Sequence, residues 1–526
     1  MKRFLLWLTL ISSFLSGCGT LAVNIDWEPT KVSGAIVTEM PVAANPGLPP
    51  TETPWVTPTP ISQTDATPTP YLTATPATPP TAIGDSRAAP LAFVSHDRIY
   101  WINETGEIYP ISDTAYHYSE PMVSPRNDLV VYFGVRPEPP LKGWVLKDIV
   151  LASSTQAFEP RVLIGSSSDT LIGFSPDGQW LLTRRAIIKD DLDWFDFSLQ
   201  AINLVSGEDR LIVGPISQAD GNVVLPVNPH WAPDSQHIFY DTIARCGQCV
   251  PNGELHVVDL TTRESHSLLG PAQSGDLVFS PDNLKLLVVG PSQAVSFTLR
   301  EIYNSSASVT PQVLMTYEPP QSDRLRYALP QARRAEDMDR VLLALPMVEN
   351  GQPALTFWKI STTDFKRTQL ATYTGVEILW DSFPFPHNML PALWSPNMQR
   401  VALNLRIKTN AEDRVDIIMT DGLGQNPVEM LHTPLFVNWS PDDLHYIFLM
   451  PPAGANGDLL IGTKEVYLGR ADNAGQSNPL LPGTTVNIDP RSIRWINDST
   501  YVFETIESGG NVVWRGVING PTTRLE

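Results

Sequence analysis

The sequence predicts an all-β fold: a β-propeller of eight four-stranded blades, with seven or nine blades as the alternatives. Two observations support this fold class. A Ser-Pro-Asp turn recurs from residue 88 to residue 526 at intervals of about 45 to 57 residues, the size of one propeller blade. Short runs of alternating apolar and polar residues flank each turn, which is typical of antiparallel strands.

Each copy of the turn follows an apolar residue and begins with Ser or Ala, then Pro, then usually Asp. These residue types fit successive positions of a type I turn, and the apolar runs on either side fit a pair of strands. The interval between Pro281 and Pro396 is twice the usual one, so a degenerate copy is expected at residues 337–339. Residues 91–94 and 98–102 predict strands of a first blade that lacks the turn. The clear copies start at Phe174, Trp231, Phe279, Trp394 and Trp439, and the weaker ones at Val123 and Trp495.

The repeated turn, clearest as Ser175-Pro176-Asp177-Gly178, resembles the WD40-like repeat of the TolB type. The resemblance covers nearly all of residues 88–526 and implies a propeller. It leaves the function open, because that family includes translocation-associated periplasmic proteins, sensor ectodomains and the regulatory parts of serine peptidases. If the ring closes, strands from opposite ends of the chain are expected to share one blade and so hide both sheet edges.

The first residues of the chain have the features of a bacterial export signal. Lys2 and Arg3 precede an apolar run that is too short for a stable membrane-spanning helix, which needs about 20 residues. Leu15-Ser16-Gly17-Cys18 resembles the lipobox of bacterial lipoproteins, which implies removal of residues 1–17 and acylation of Cys18 by a lipid such as palmitate. The alternative is an ordinary signal peptide. The expected location is outside the cytoplasm, anchored to the cell membrane.

The region between the signal and the propeller has a different composition. Residues 18–40 are expected to form a tether, and residues 41–87 are rich in Pro and Thr. Proline fixes φ and removes hydrogen-bond donors, so this region predicts a disordered, extended linker. At about 3 Å per residue it would reach on the order of 100 Å.

The cysteine content and the net charge limit the other possibilities. Only Cys246 and Cys249 remain besides Cys18, and a small disulfide is the favoured interpretation outside the cytoplasm, with redox activity as the alternative. The formal net charge of −20 makes nucleic acid an unfavourable partner. No motif for a metal or an organic cofactor is present, so none is predicted.

Long connections are expected mainly between second and third strands, which all open on one face of a propeller. They cover residues 134–140, 189–197, 241–253 and 451–463, and a segment between blades at residues 380–387 is expected on the same face. Binding residues concentrate on such loops over a rigid scaffold. For two of these loops, packing against the blades is the alternative to ligand binding. The candidate binding residues are Asp190, Asp191, Asp193, Trp194, Phe195 and Asp196 in one loop and Trp380, Asp381, Phe383, Phe385 and His387 in the other.

The sequence therefore favours a lipid-anchored binding or scaffolding module that recognises a protein, a peptide or a glycan. No Gly-x-Ser-x-Gly or His-Glu-x-x-His motif is present. A catalytic site assembled from several blades would leave no local motif. A glycan hydrolase or lyase with carboxylates at the channel mouth therefore remains an alternative, as does a TolB-like component of an envelope complex.

Overall fold

A computed structural model describes the chain from residue 91 to residue 525. The described part omits residues 96, 104–106, 114–115, 127, 136–144, 154–159, 188–195, 218–222, 245–253, 272, 281, 305–308, 320–330, 335–339, 362–365, 375–376, 379–392, 409–412, 433–434, 452–462, 474–475, 489 and 508–509. Cys18, the tether, the linker and the Cys246–Cys249 pair all lie outside the described residues.

Within these ranges the strands form nine antiparallel sheets, which we number 1 to 9 in chain order. Sheet 1 contains β1 (Leu91–Ser95), β2 (Arg98–Ile102) and β3 (Ile108–Pro110). Sheet 2 contains β4 (His117–Val123), β5 (Leu129–Val135), β6 (Lys147–Ser153) and β7 (Arg161–Ser167). Sheet 3 contains β8 (Asp169–Phe174), β9 (Trp180–Ile187), β10 (Asp196–Asn203) and β11 (Asp209–Val213).

Sheet 4 begins with the two-residue β12 (Ile216–Ser217), followed by β13 (Val223–Trp231), β14 (His237–Ala244), β15 (Leu255–Asp259) and β16 (Ser265–Leu269). Sheet 5 contains β17 (Asp276–Phe279), β18 (Lys285–Val289), β19 (Gln293–Thr298) and β20 (Gln312–Thr316). The helix α1 (Leu299–Asn304) lies between the last two of these strands. Sheet 6 contains β21 (Gln331–Arg334), β22 (Arg340–Glu349), β23 (Gln352–Ser361) and β24 (Arg367–Thr374).

Sheet 7 contains β25 (Glu377–Ile378), β26 (Arg400–Lys408), β27 (Asp413–Asp421) and β28 (Val428–His432). Sheet 8 contains β29 (Leu435–Trp439), β30 (His445–Met450), β31 (Glu465–Arg470) and β32 (Ser477–Pro479). Sheet 9 contains β33 (Arg494–Trp495), β34 (Thr500–Glu507), β35 (Gly510–Val517) and β36 (Thr522–Arg524), and a 3₁₀ turn (Pro490–Ser492) precedes it.

This arrangement confirms the predicted β-propeller and gives nine sheets, one more than the favoured eight and within the predicted range. The count rises because residues 91–110 form a sheet of their own. The expected degenerate turn at residues 337–339 lies outside the described residues. It falls between β21 and β22, the position that the turn occupies in the other sheets.

Burial follows the strand order within each sheet. The second and third strands carry most of the buried apolar residues, as in β5 and β6, whereas fourth strands such as β11 and β20 are largely exposed. First strands such as β17 are intermediate. The fourth strands therefore form the outer edge of the ring and the first strands line its central channel, as in other propellers.

The recurring Ser explains why the turn is so regular. In sheet 3 the backbone N–H of Trp180 donates to Ser175 Oγ (3.0 Å), and the Ser175 hydroxyl donates to Asp177 (2.5 Å). The equivalent backbone N–H groups in sheets 2, 5, 7 and 8 also donate to the Ser of their own turn. The fourth turn residue has positive φ, which Gly178 adopts without strain at +67°. In these five sheets the Ser side chain thus supplies an acceptor at the start of the second strand.

Neighbouring turns are also joined to one another. The N–H of Asp177 donates to Ser235 Oγ in the next sheet (3.0 Å), and the N–H of Asn397 donates to Asp443 (3.1 Å). The indole N–H of Trp231 donates to the Gly173 carbonyl of the preceding sheet (3.3 Å). On one face of the ring, which we call the turn face, hydrogen bonds therefore link sheet 3 to sheet 4 and sheet 7 to sheet 8.

The ring closes by packing of sheet 1 against sheet 9, and this corrects the expectation of a shared blade. Phe93 and Ile102 of sheet 1 form a buried cluster with Ile496, Val502 and Val513 of sheet 9. Among the described strands, each of these two sheets is built only from its own end of the chain. The expectation was wrong because residues 494–524 already supply all four strands of the last sheet.

Candidate binding face

The face opposite the turn face carries the connections between second and third strands, and we call it the loop face. These connections are short in sheets 5, 6, 7 and 9, with two to four residues each. They are long in sheets 2, 3, 4 and 8, where they cover residues 136–146, 188–195, 245–254 and 451–464. The predicted positions of the long connections are confirmed, and three of the four lie in consecutive sheets.

Only part of the first predicted binding loop lies within the described residues. Asp190, Asp191, Asp193, Trp194 and Phe195 fall outside them. Asp196 is the first residue of β10, is 2% exposed and lies opposite Ile187, so it belongs to the strand rather than to the loop.

The base of this loop is held by its flanking strands. The Arg184 guanidinium lies over the Phe197 ring at 4.9 Å, one residue beyond Asp196. A cation–π contact of this kind contributes about 1 kcal/mol. The connection therefore starts and ends on strands whose side chains are packed together.

The second predicted loop lies outside the described residues. Trp380, Asp381, Phe383, Phe385 and His387 lie outside the described residues. The residues just before them, Glu377 and Ile378, already pair with β26, and so does Trp394 after them, which bridges to Val401.

Residues 379–392 lie outside the described residues, so their predicted place between two blades stays a prediction.

Each of the three consecutive long-loop sheets has a charged side chain with polar partners close to its channel-lining strand. In sheet 2 the Lys147 ammonium contacts Glu120 (2.7 Å) and lies 4.4 Å from the Phe133 ring centroid. Glu120 has φ of 53° within a β-bulge of β4 that separates Ser119 from Met122. The bulge directs an acidic residue from the innermost strand to the first residue of the third strand.

In sheet 3 the charged group is a buried carboxylate. The side chain of Asp169 is fully buried and accepts hydrogen bonds from Thr183 Oγ1 (2.6 Å) and Arg185 Nε (2.8 Å). Arg185 also contacts Asp209 (2.7 Å). These two carboxylates hold the pKa of Arg185 above its usual value against the effect of burial. The ion pair fixes the end of β9 directly before the long connection.

In sheet 4 no cation of the described residues is paired with the carboxylate of Asp241. Asn228 donates to it through Nδ2 (3.2 Å) and the Ser274 hydroxyl donates to its other oxygen. Asn228 has φ of 48° in a β-bulge of β13, as Glu120 does in β4. Burial raises the pKa of Asp241 to about 6, against the two hydrogen bonds that lower it.

Sequence reasoning missed these three polar groups, although two of them left a signal. Glu120-Pro121 and Asn228-Pro229 occupy the same position, four residues before the first residue of the turn. A proline within a strand pattern marks an edge or a bulge. Here it marks a bulge in the strand that borders the channel.

Two further features concern metals and membranes. Among the described residues, no group of three or more His, Cys, Asp or Glu side chains is placed to hold a metal ion. Within the same ranges no helix has the length and hydropathy required to cross a bilayer.

No protein-family model and no curated protein matches the chain. Solved structures with a similar backbone trace include a eukaryotic initiation factor, with 13% identity and a TM-score of 0.49, covering 84% of this chain and 95% of that one. A second is the β-propeller domain of the Trilobed protease from Pyrococcus furiosus, with 14% identity and a TM-score of 0.34, covering 68% of this chain and 95% of that one. A third is a protein assigned as TolB from Agrobacterium tumefaciens, with 17% identity and a TM-score of 0.27, covering 43% of this chain and 77% of that one. At these values the similarities assign neither a family nor a function to the chain.

Proposed function

We propose that the chain is an extracytoplasmic binding module that is anchored to the cell membrane by lipid at Cys18. Its loop face would recognise a protein, a peptide or a glycan. The observation that carries the proposal is the clustering of long connections in sheets 2, 3 and 4, each next to a charged or polar group held by the innermost strands. Long, chemically varied loops on a rigid scaffold are a common basis of recognition.

The energetic argument concerns preorganisation. Binding is weakened by about 0.5 to 1.5 kcal/mol for every side chain that must be ordered on association. The Lys147–Glu120 pair, the Arg185–Asp169 pair and the Arg184–Phe197 contact order the ends of the connections before any ligand arrives. A ligand would then order only the central parts of the loops.

A library screen followed by loop replacement tests the proposal. The purified mature chain is screened against a glycan array and a displayed library of random peptides, and the affinity of the best hit is measured. Replacing residues 188–195 by a Gly-Ser segment of equal length is expected to weaken binding at least tenfold. The same replacement at residues 362–365, between β23 and β24 on the turn face, is the control and is expected to leave the affinity unchanged. Equal affinities for both variants would contradict the proposal.

The lipid anchor requires its own experiment. Bacterial cells that express the chain are fed an alkyne-bearing fatty acid, and label is expected on the wild-type protein and not on Cys18→Ala. A Cys246→Ala, Cys249→Ala variant is the matched control and is expected to keep the label. Unlabelled wild type in a membrane fraction would refute anchoring at Cys18.

The pKa of Asp241 favours a second candidate function, a glycan hydrolase or lyase. A carboxyl group that is half-protonated near pH 6 can donate or accept a proton under mild conditions, as a general acid or base does. Turnover of an uncharged or acidic polysaccharide that falls at least a hundredfold in Asp241→Asn would support it. Turnover that is unchanged in this variant would exclude Asp241 from the chemistry.

A further inference from the structure

Two arginine side chains join neighbouring sheets at the turn face. Arg161, the first residue of β7, donates to the Leu204 carbonyl of sheet 3, and Arg210 of β11 donates to the Leu260 carbonyl of sheet 4 (3.0 Å). Each acceptor is the residue directly after the third strand of its sheet. A guanidinium keeps its charge over the whole physiological pH range, so these two contacts do not respond to acid.

In sheet 4 a histidine occupies the place of these arginines. Arg161 and Arg210 pair with the third strand of their own sheet two residues before that strand ends. His266 of β16 pairs with Val257, which lies two residues before the end of β15. The contact from sheet 4 to sheet 5 therefore depends on a side chain that titrates near neutral pH.

The acceptor in sheet 5 belongs to helix α1. Leu299, the residue directly after β19, begins this helix, and the Ile302 carbonyl is the hydrogen-bond acceptor for the His266 ring. The last four carbonyls of a helix have no partner within it, so this one is available to a side chain. Leu268 and Leu269 of β16 pack in one cluster with Leu299 and Ile302. Helix α1 is thus held on sheet 4 by apolar packing and by the contact through His266.

A second histidine of sheet 4 lies against the same helix. The His237 ring stacks on the Tyr303 ring of α1, with centroids 3.8 Å apart and an angle of 9° between the planes. Asp234 (2.7 Å) and Asp259 (3.6 Å) lie on either side of His237. A positive charge on His237 opposes a positive charge on His266, whose pKa it lowers.

The other titratable groups around His266 do not offset this repulsion. His256 of β15 contacts Glu254 (3.2 Å), and His266 is one of the groups that lower the pKa of His256, after burial. The charged residues of α1, Arg300 and Glu301, are exposed. Among the described residues, no carboxylate is paired with His266. A proton on His266 therefore meets two other histidines and gains no anion.

We propose that His266 is a pH-sensitive clamp, which holds α1 on sheet 4 when its ring is neutral and releases the helix when the ring gains a proton. The neutral ring donates from one nitrogen and leaves the other without hydrogen. Nε2 is buried and has no hydrogen-bond partner among the described residues. Protonation would place an N–H group there without an acceptor, which is costly away from water.

The direction of the pH response follows from the position of the side chain. Burial, and to a smaller extent His237, lowers the pKa of His266 from 6.5, against the Ile302 carbonyl, which raises it. The released side chain therefore binds the proton more tightly than the clamped one. The clamp is complete above pH 6.5 and weakens as the pH falls below this value.

Hydrogen exchange of the full chain with single-amide resolution tests the proposal. Protection factors, which are corrected for the intrinsic exchange rate at each pH, are measured for Tyr303 and Asn304 at pH 7.5 and pH 5.0. In the wild type we expect them to fall about fivefold at the lower pH, while the amides of β18 in the same sheet keep theirs. Equal protection of α1 at both pH values, or an equal fall in β18, would overturn the proposal.

Two variants assign the response to His266. His266→Gln can still donate to the Ile302 carbonyl and does not titrate, and His266→Arg introduces the residue of sheets 2 and 3. In both we expect the protection of α1 to be the same at the two pH values. His445→Gln in sheet 8, where His445 contacts Asp442 as His237 contacts Asp234, is the matched control and is expected to keep the wild-type fall. A fall that persists in either His266 variant would assign the response to another group and overturn the proposal.

Discussion

Replacing Asp241 by Asn tests the electrostatics of the loop face in sheet 4. The pKa of Asp241 is about 6 in the folded chain and 3.8 without the fold, so the folded state binds this proton more tightly. The stability that follows from protonation is complete below pH 3.8 and is lost as the pH rises through 6. The difference between the two pKa values corresponds to about 3 kcal/mol of unfolding free energy, of which about 2 kcal/mol is lost between pH 4.5 and pH 7.5.

Asn has nearly the same shape as Asp but does not titrate; its amide oxygen can accept from Asn228, and its amide nitrogen can donate to the Ser274 hydroxyl oxygen. We therefore expect the free energy of unfolding of Asp241→Asn, relative to that of the wild type, to be about 2 kcal/mol higher at pH 7.5 than at pH 4.5. Urea denaturation at both pH values measures the difference, and other titrating groups cancel between the two proteins. Asp498→Asn, at an exposed carboxylate, is the control. A difference that is the same at both pH values, or that changes in the opposite direction, would refute the reasoning.

Three further pairs of variants test contacts within the ring. Trp439→Phe removes the bond from Nε1 to the Leu393 carbonyl (3.1 Å) and is expected to cost about 1 kcal/mol. Trp495→Phe should be neutral or stabilising, because the buried Nε1 of Trp495 has no acceptor among the described residues. A larger loss of unfolding free energy in Trp495→Phe than in Trp439→Phe, measured by urea denaturation, would contradict this. Gly424→Ala places a Cβ into the Phe357 ring of the preceding sheet and is expected to cost about 2 kcal/mol more than Gly351→Ala, which has a similar φ (73° and 77°) and open space around it. Equal melting temperatures for these two variants would show that the sheets do not pack as described. Arg185→Met leaves the buried Asp169 without its cation and should cost on the order of 3 kcal/mol, whereas Arg470→Met, at the exposed pair with Asp472, should cost much less. Similar losses in chemical denaturation would contradict the burial of the first pair.

The sequence contained most of the information about the fold. The repeated turn works locally, since Ser175 and Asp177 accept hydrogen bonds from backbone N–H groups within five residues, and such short-range chemistry is visible in a pattern. The strands and the long connections of sheets 2, 3, 4 and 8 follow from it. The number of sheets was less certain, because sheet 1 lacks the turn among its described residues.

The candidate site was less predictable for physical reasons. Asp169 and Arg185 are 16 residues apart, and Asp241 and Ser274 are 33 apart, so only the closed sheets bring them together. The two-residue strand at Glu377 and Ile378 was not predicted, because it is too short to be visible as a pattern. Asp196 was expected in a loop because it follows an acidic run, yet it begins β10 and is buried.

The proposed function requires that recognition takes place on the loop face of sheets 2, 3 and 4. Hydrogen exchange of the full chain with and without the best library ligand tests this requirement. We expect protection to increase at the strand ends that flank the long connections, at residues 133–135, 147–149, 184–187 and 196–198. Protection confined to the Ser-Pro-Asp turns or to the fourth strands would contradict it.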